Sequence, residues 1–319
     1  METTSQAPPQ SVQPHITGSA RALLTGLIDY AGLFPPAALS MEAAVANYAA
    51  YLRGPYRWLL GRFIVPVARL NEFEKAFAQI PSPPEGVDRC WKLSAISKDD
   101  TAADVARILE FNYRGERACS SLRAEIESIE LKDTGTAFSV ERTSNRIPSD
   151  METYFEIPLT WRGRSALDGV AKCRRRAKIR LGGEAPHMFP SVEDVFLFLQ
   201  VCAGYQVPFK ATAGLHHAIR GVHRCTDQPN RPQVEMHGFL NLFLAAASFY
   251  PCTSFHPGSP ILQEENRAAF RFHEDSVEHR MYKAVSLAQI SAARREFATS
   301  FGSCSFTEPT DDLRSLHLL

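Results

Sequence analysis

The sequence predicts an α/β fold of the (β/α)8, TIM-like barrel type, and three observations lead there. Strand-like and helix-like segments alternate seven or eight times within the 319 residues, the signature of a parallel sheet wrapped by helices. The length suits one large α/β domain or two smaller ones. The strands also alternate apolar and polar side chains, whereas the central strands of an open doubly wound sheet are apolar throughout. One face of each strand must meet the helices and be apolar, so the polar face turns into a lumen, and only a closed sheet has one.

The elements follow in order. Residues 27–32 form the first strand, and Ser40 caps a helix to about residue 52. RFIVPVA at 62–68 is the second strand, followed by a helix over 71–80 and a Pro/Ser loop at 81–84. CWKLSAIS at 90–97 is the third, with Asp100 or Thr101 capping the helix over 101–111. SSLRAEIESI at 120–129 is the fourth. The polar, aperiodic segment 132–150 reads as a long loop or a weak helix. TYFEIPL at 153–159 is the fifth strand, and a helix over 165–174 leads to AKIRL at 177–181, the sixth. Ser191 caps a helix to residue 203, and VPFKATA at 207–213 is the seventh strand. Beyond Gly214 the pattern weakens: 238–249 reads as a buried helix, 268–273 as a candidate eighth strand and 287–298 as a helix. The expected organisation is a mobile tail at 1–20, rich in Pro, Gln, Ser and Thr, and one barrel domain at 21–319. That domain would carry a long loop at 132–150 and an extension at 218–280, and its eighth strand would be the least regular.

Composition excludes several classes. Lys+Arg and Asp+Glu both number 35, so the basic surplus a nucleic-acid binder needs is missing. With 45% apolar and 22% charged residues, the chain can bury a core and is not disordered. Its longest apolar run, 239–250, contains Asn241 and Ser248 and is shorter than the roughly 20 residues a bilayer requires. The N-terminus lacks the basic start and apolar block of a secretory signal. Seven scattered cysteines with no CxxC pair point to reduced thiols in a cytoplasm. No nucleic-acid or membrane partner is expected. Barrels of this kind often pair through outer helices, so a homodimer is one expected state.

The lumen set is Lys92, Ser94, Arg123, Glu125, Glu127, Glu156, Lys178, Arg180, Lys210 and Thr212, with Asp29 on the first strand. Burying an unpaired charge costs several kcal/mol, so such residues must be paired, solvated or used. Active sites of this architecture lie at the C-terminal ends of the strands, and Lys210, Thr212, Arg180, Glu127 and Glu156 are assigned to that half. Cations outnumber anions in the set, which a small anionic substrate, carboxylate or phosphate, would balance. Lys178 and Lys210 fall on adjacent strands. An amine attacks a carbonyl only when neutral, and a neighbouring cation with partial burial lowers its pKa. Glu127 or Glu156 would then shuttle protons. The combination predicts a Schiff-base aldolase or lyase acting on a small phosphorylated or carboxylated carbonyl compound, with no cofactor.

Two stretches carry a resemblance: Lys178-Ile179-Arg180-Leu181-Gly182-Gly183, and Phe209-Lys210-Ala211-Thr212-Ala213-Gly214, with the lysines 32 positions apart. They resemble the strand-six K-T-S-T-G and strand-seven v-K-a-x-G-G motifs of deoxyribose-phosphate aldolase and its class I aldolase relatives. The resemblance implies that Lys178 is the Schiff-base residue and Lys210 its pKa-lowering partner. Phe301-Gly302-Ser303-Cys304-Ser305 is similar to the family's phosphate-binding turn, which implies an eighth strand at 299–305 in place of 268–273. The chain departs from the family in the Ile-Arg-Leu after Lys178, in the single glycine after Lys210, in the interval to Gly302, and on strand four. There Arg123-x-Glu125-x-Glu127 replaces an Asp-containing pattern.

Two other readings stay open. His216 and His217 are adjacent on a loop after the seventh strand, and His237 shares a helix face with Asn241. His216 or His217 with His237 and Glu127 or Glu156 could hold a divalent metal for a barrel hydrolase or isomerase. Alternatively the barrel binds an anion or a partner protein without catalysis. Arg123, Glu125, Arg180, Thr212 and His217 are the candidate substrate contacts. Gly182 and Gly183 could admit a phosphate to backbone N–H groups, and Asp29 could orient a substrate.

Overall fold

Eight parallel strands close on one another in the computed structural model, which describes residues 15–82, 89–98, 100–117, 122–132, 135–224, 232–250 and 259–319. The first seven are β1 (Ile28–Tyr30), β2 (Leu60–Pro66), β3 (Cys90–Ser97), β4 (Arg123–Leu131), β5 (Glu152–Glu156), β6 (Arg176–Arg180) and β7 (Phe209–Thr212). Next come an antiparallel pair, β8 (Gly221–Arg224) and β9 (Gln233–Met236), and an antiparallel three-stranded sheet, β10 (Phe270–Phe272), β11 (Ser276–His279) and β12 (Tyr282–Ser286). The barrel is completed by β13 (Ala298–Ser303), which pairs with β7 on one side and β1 on the other.

The alternation in the strands explains the closure. Phe155, Ala177, Ile179, Phe209 and Ala211 are fully buried against the helices, while Tyr154, Glu156, Lys178, Arg180, Lys210 and Thr212 occupy the alternate positions. Around β1 to β3 the outer layer is aromatic: Tyr48 packs edge-on to Phe63 and Trp91, with Phe73 beside them. Ser40 caps the helix Met41–Arg53 by accepting from the Ala43 N–H at 3.2 Å. A reciprocal Ser191–Asp194 capping box starts the helix Val192–Gly204. The 132–150 segment contains a short helix, Ala137–Ser144, started by a Thr136–Ser139 box.

Three expectations are corrected here. The segment 268–273 is not the eighth strand. Phe270–Phe272 pairs antiparallel with β11 and exposes Arg271, so it cannot lie between two parallel neighbours. In β13, by contrast, Ala298 and Phe301 are buried outward while Ser300 sits on the lumen side. Residues 18–20, expected within the tail, are helical: a helix with Thr17 as its cap spans Gly18–Leu24 and buries Ser19 and Ala20, while residues 1–14 lie outside the described residues. The segment between β7 and β13 continues beyond residue 280 through β12 and the helix Leu287–Glu296. Within it, every residue of the helix Phe239–Phe249 is buried, packed against the helices Val192–Gly204, Ser259–Gln263 and Leu287–Glu296. Arg294 ties this segment to the barrel by donating to the carbonyls of Leu23, Thr25, Ala298 and Thr299.

Among the described residues no helix is long and apolar enough to cross a membrane. Cys90, Cys173, Cys202 and Cys304 form no disulfide, and Cys119, Cys225 and Cys252 lie outside the described residues.

Candidate functional site

The pleat of β4 decides which carboxylate reaches the site. Leu93 of β3 faces Ile126, but the next residue, Ser94, faces Ser128. Glu127 is therefore an extra residue, a bulge that reverses the inward parity of everything beyond it. Below the bulge Glu125 and Glu127 point to the N-terminal end, and above it Ser128 and Glu130 take over the axis.

Glu130 is the hub of the C-terminal half. Its Oε1 accepts from Lys210 Nζ at 2.7 Å and from Ser94 Oγ at 2.7 Å, and its Oε2 accepts from Lys178 Nζ at 3.2 Å. Lys178 also meets Glu156 Oε2 at 3.1 Å, and the other oxygen of Glu156 accepts from Arg180 Nε at 2.9 Å. Lys210 reaches Asp29 Oδ2 at 2.6 Å, and the Asp29 carboxylate accepts further bonds from Ser300 Oγ at 2.7 Å and the Arg62 backbone N–H at 2.8 Å. Asp29, Lys210, Glu130, Lys178, Glu156 and Arg180 thus form one chain of alternating charges.

The two lysines differ in access. Lys210 is wholly enclosed, 5.4 Å from the centroid of the Tyr154 ring. Lys178 lines a cavity of about 440 Å³ at the mouth. Burial alone would lower the Lys210 ammonium, but Asp29 and Glu130 outweigh it and hold its pKa above the ordinary lysine value. The expectation that each lysine depresses the other is thus corrected for Lys210, because carboxylates surround it more closely than Lys178 does. Burial would raise the Glu130 carboxyl, but Lys210 and Lys178 hold it below the usual range. The Glu156 carboxyl, pushed up by burial, is likewise brought down by Lys178 and Arg180.

The mouth cavity also gathers Thr212, Gly183 and His216, together with Lys98 and Lys132. His216 Nδ1 lies 3.1 Å from Glu308 Oε2. Lys98 and Lys132 are exposed at the rim and have no ion pair among the described residues.

Several expected site residues stand elsewhere. Arg123 and Glu125 are at the N-terminal end because they precede the bulge, and Glu127, the bulge residue, joins them there. Arg123 is exposed there. Glu127 accepts from Lys92 at 2.6 Å and Arg62 at 3.1 Å, and Glu125 bonds Lys92 at 3.1 Å. Asp29 is a partner of Lys210 and not an exposed substrate contact. Gly182 packs on Gly214, where an added Cβ would come 2.6 Å from the Gly214 Cα. That close approach, with Gly214 at a φ of 70°, accounts for glycine at 182 and 214. His217 stacks on His223 with ring centroids 3.5 Å apart and sits 3.9 Å from Asp312, outside the mouth. His237 Nε2 donates to the Pro190 carbonyl oxygen at 2.8 Å. The ligand set expected for a metal does not converge: Glu127 and His216 are at opposite ends, and no cluster of three or more ligating side chains occurs among the described residues.

The sequence reading missed Glu130, Lys98 and Lys132, and at the other end Arg62, Glu152 and Arg176. Arg62 bonds Glu152 at 2.7 Å, and Arg176 bonds the other oxygen at 3.1 Å. Glu130 had a signal: in Ser128-Ile129-Glu130-Leu131 the alternation resumes with opposite parity.

Comparison with known protein families, curated proteins and solved structures found no match to this chain.

Proposed function

We propose that the C-terminal mouth is the active site of a Schiff-base aldolase or lyase, with Lys178 as the amine and a small phosphorylated or carboxylated carbonyl compound as substrate. The barrel is an architecture that commonly carries enzymes at this end. The observation that carries the reading is the shared carboxylate. Glu130 binds both lysines, Lys210 is enclosed, and Lys178 faces the cavity. Glu130 divides its two oxygens between the lysines, Oε1 to Lys210 and Oε2 to Lys178. Glu130 also supplies a strand-four carboxylate where the aldolases resembled here carry an Asp-containing pattern.

Arg180 is half-exposed and joins Lys98 and Lys132 in attracting the substrate's anionic group. As Arg180 turns to that group, Glu156 loses one partner and becomes the base that takes the Lys178 proton. The neutral Nζ adds to the carbonyl carbon, and the carbinolamine expels water to give the imine. Protonated Glu156 supplies the proton for that departing hydroxyl.

Trapping tests this reading. The protein is incubated with a panel of small phosphorylated and carboxylated aldehydes and ketones and reduced with sodium borohydride. A secondary-amine adduct is expected on Lys178, unchanged by EDTA and lost in Lys178→Met. An adduct confined to Lys98 or Lys132, or none across the panel, overturns it.

A further inference from the structure

The opposite end of the barrel holds a larger cavity, about 640 Å³, where strands begin instead of end. Arg57, Arg62, Lys92, Arg176 and Arg295 line it, against Asp29, Glu127 and Glu152. Five cations thus face three carboxylates, and one of the three, Asp29, is already held by Lys210. Arg57 has no ion pair among the described residues, and Arg295 pairs only with its exposed neighbour Glu296. The remaining wall includes Trp58, Leu52 and Leu60, with Trp91 and Tyr48 behind them. Arg21 lies over Trp58, 4.3 Å from its centroid, and Trp91 and Tyr48 are buried in the aromatic core. Concave sites of several hundred Å³ with apolar walls and a few convergent charges are how small ligands are held.

We propose that this cavity is a second ligand site, separate from the mouth, for an organic anion that joins a carboxylate or phosphate to an aromatic ring. The anionic group meets the arginines, whose planar donor forks suit it. The ring lies against Trp58, the partly accessible tryptophan of the wall. The proposal does not depend on whether Lys178 forms an imine.

Trp58 and Trp91 are two of the chain's three tryptophans, so fluorescence reports on this cavity directly. Phenyl phosphate is the probe, with phenol as the uncharged control. Saturable quenching by phenyl phosphate and none by phenol is expected. In the double variant Arg57→Glu/Arg295→Glu, changed only at exposed rim positions, affinity falls about tenfold or more. In Arg180→Ala, at the mouth, affinity stays at the parent value. Absence of saturable quenching overturns the proposal. So does affinity that ignores the rim variant, or affinity that is lost with Arg180→Ala, since the probe then sits at the other end.

Discussion

The two ends of the barrel are both lined with ionised side chains, yet they use different cations. The N-terminal end is an arginine end: Arg57, Arg62, Arg176 and Arg295 with a single lysine, Lys92. The C-terminal end is a lysine end: Lys178 beside enclosed Lys210, Lys98 and Lys132 at the rim, and a single arginine, Arg180. A guanidinium stays charged at any accessible pH and binds anions through a fixed fork, whereas an ammonium can give up its proton and become a nucleophile. Under the two proposals above, the arginine end holds an anion and the lysine end supplies the nucleophile. Solvent access sharpens the contrast, since Lys92 and Glu125 are substantially exposed whereas Lys210, Asp29 and Glu130 are buried.

The largest effect expected from this contrast is on stability. Lys210→Met leaves Asp29 and Glu130 in the axis without their shared cation, and should cost about 3–5 kcal/mol in urea denaturation. Lys92→Met, in water-screened pairs, should cost about 1 kcal/mol or less. Equal losses would erase the distinction between the ends. Lys178→Arg is next: it keeps the positive charge beside Glu130 and Glu156, so stability should fall by less than about 1.5 kcal/mol. The borohydride adduct should nevertheless vanish, because a guanidinium does not deprotonate. An adduct surviving on this variant would show that the reacting amine lies elsewhere.

The smallest effect is a pH dependence. The Glu130, Glu156 and Glu152 carboxyls all lie below their ordinary values in the folded chain. A carboxyl depressed by folding contributes stability in full above its unfolded value, about 4.3, and loses it as pH falls toward the folded value. Urea midpoints should therefore hold steady on this account from neutral pH to about 5 and drop below about 4. Glu130→Gln should flatten that drop, because Glu130 is buried between two lysines that hold its carboxyl down; an unchanged drop in this variant would remove Glu130 from the account.

Period-two alternation made the barrel legible. Tyr154 and Glu156 against Phe155, and Lys178 and Arg180 against Ile179, state a lumen outright, and Lys178 and Lys210 could be placed on neighbouring strands from spacing alone. The strand-four carboxylate could not. Glu125-Ile126-Glu127-Ser128 does not show which residue bulges; only the reversed alternation of Ser128-Ile129-Glu130-Leu131 does, and that one residue moves the candidate site from Glu127 to Glu130. Strand eight was hard for a different reason. Ala298-Thr299-Ser300-Phe301-Gly302-Ser303 is mostly small, with Ser300 turned to Asp29, and Thr299 is its single β-branched residue, which leaves little of the pattern that marks a strand. The partners at the arginine end were lost at boundaries: Glu152 and Arg176 are the first residues of β5 and β6, just outside the segments read as strands.

The late arrival of β13 has a consequence for how the chain assembles. Ile28 pairs with Phe301 and Tyr30 with Ser303, so the ring of strands cannot be sealed until residues 298–303 have left the ribosome. Until then β1 and β7 each present a bare edge able to pair with another chain, and contacts this distant in sequence form slowly. A nascent chain stalled before residue 298 would be the aggregation-prone species, and a chaperone that shields open sheet edges would matter most in that interval.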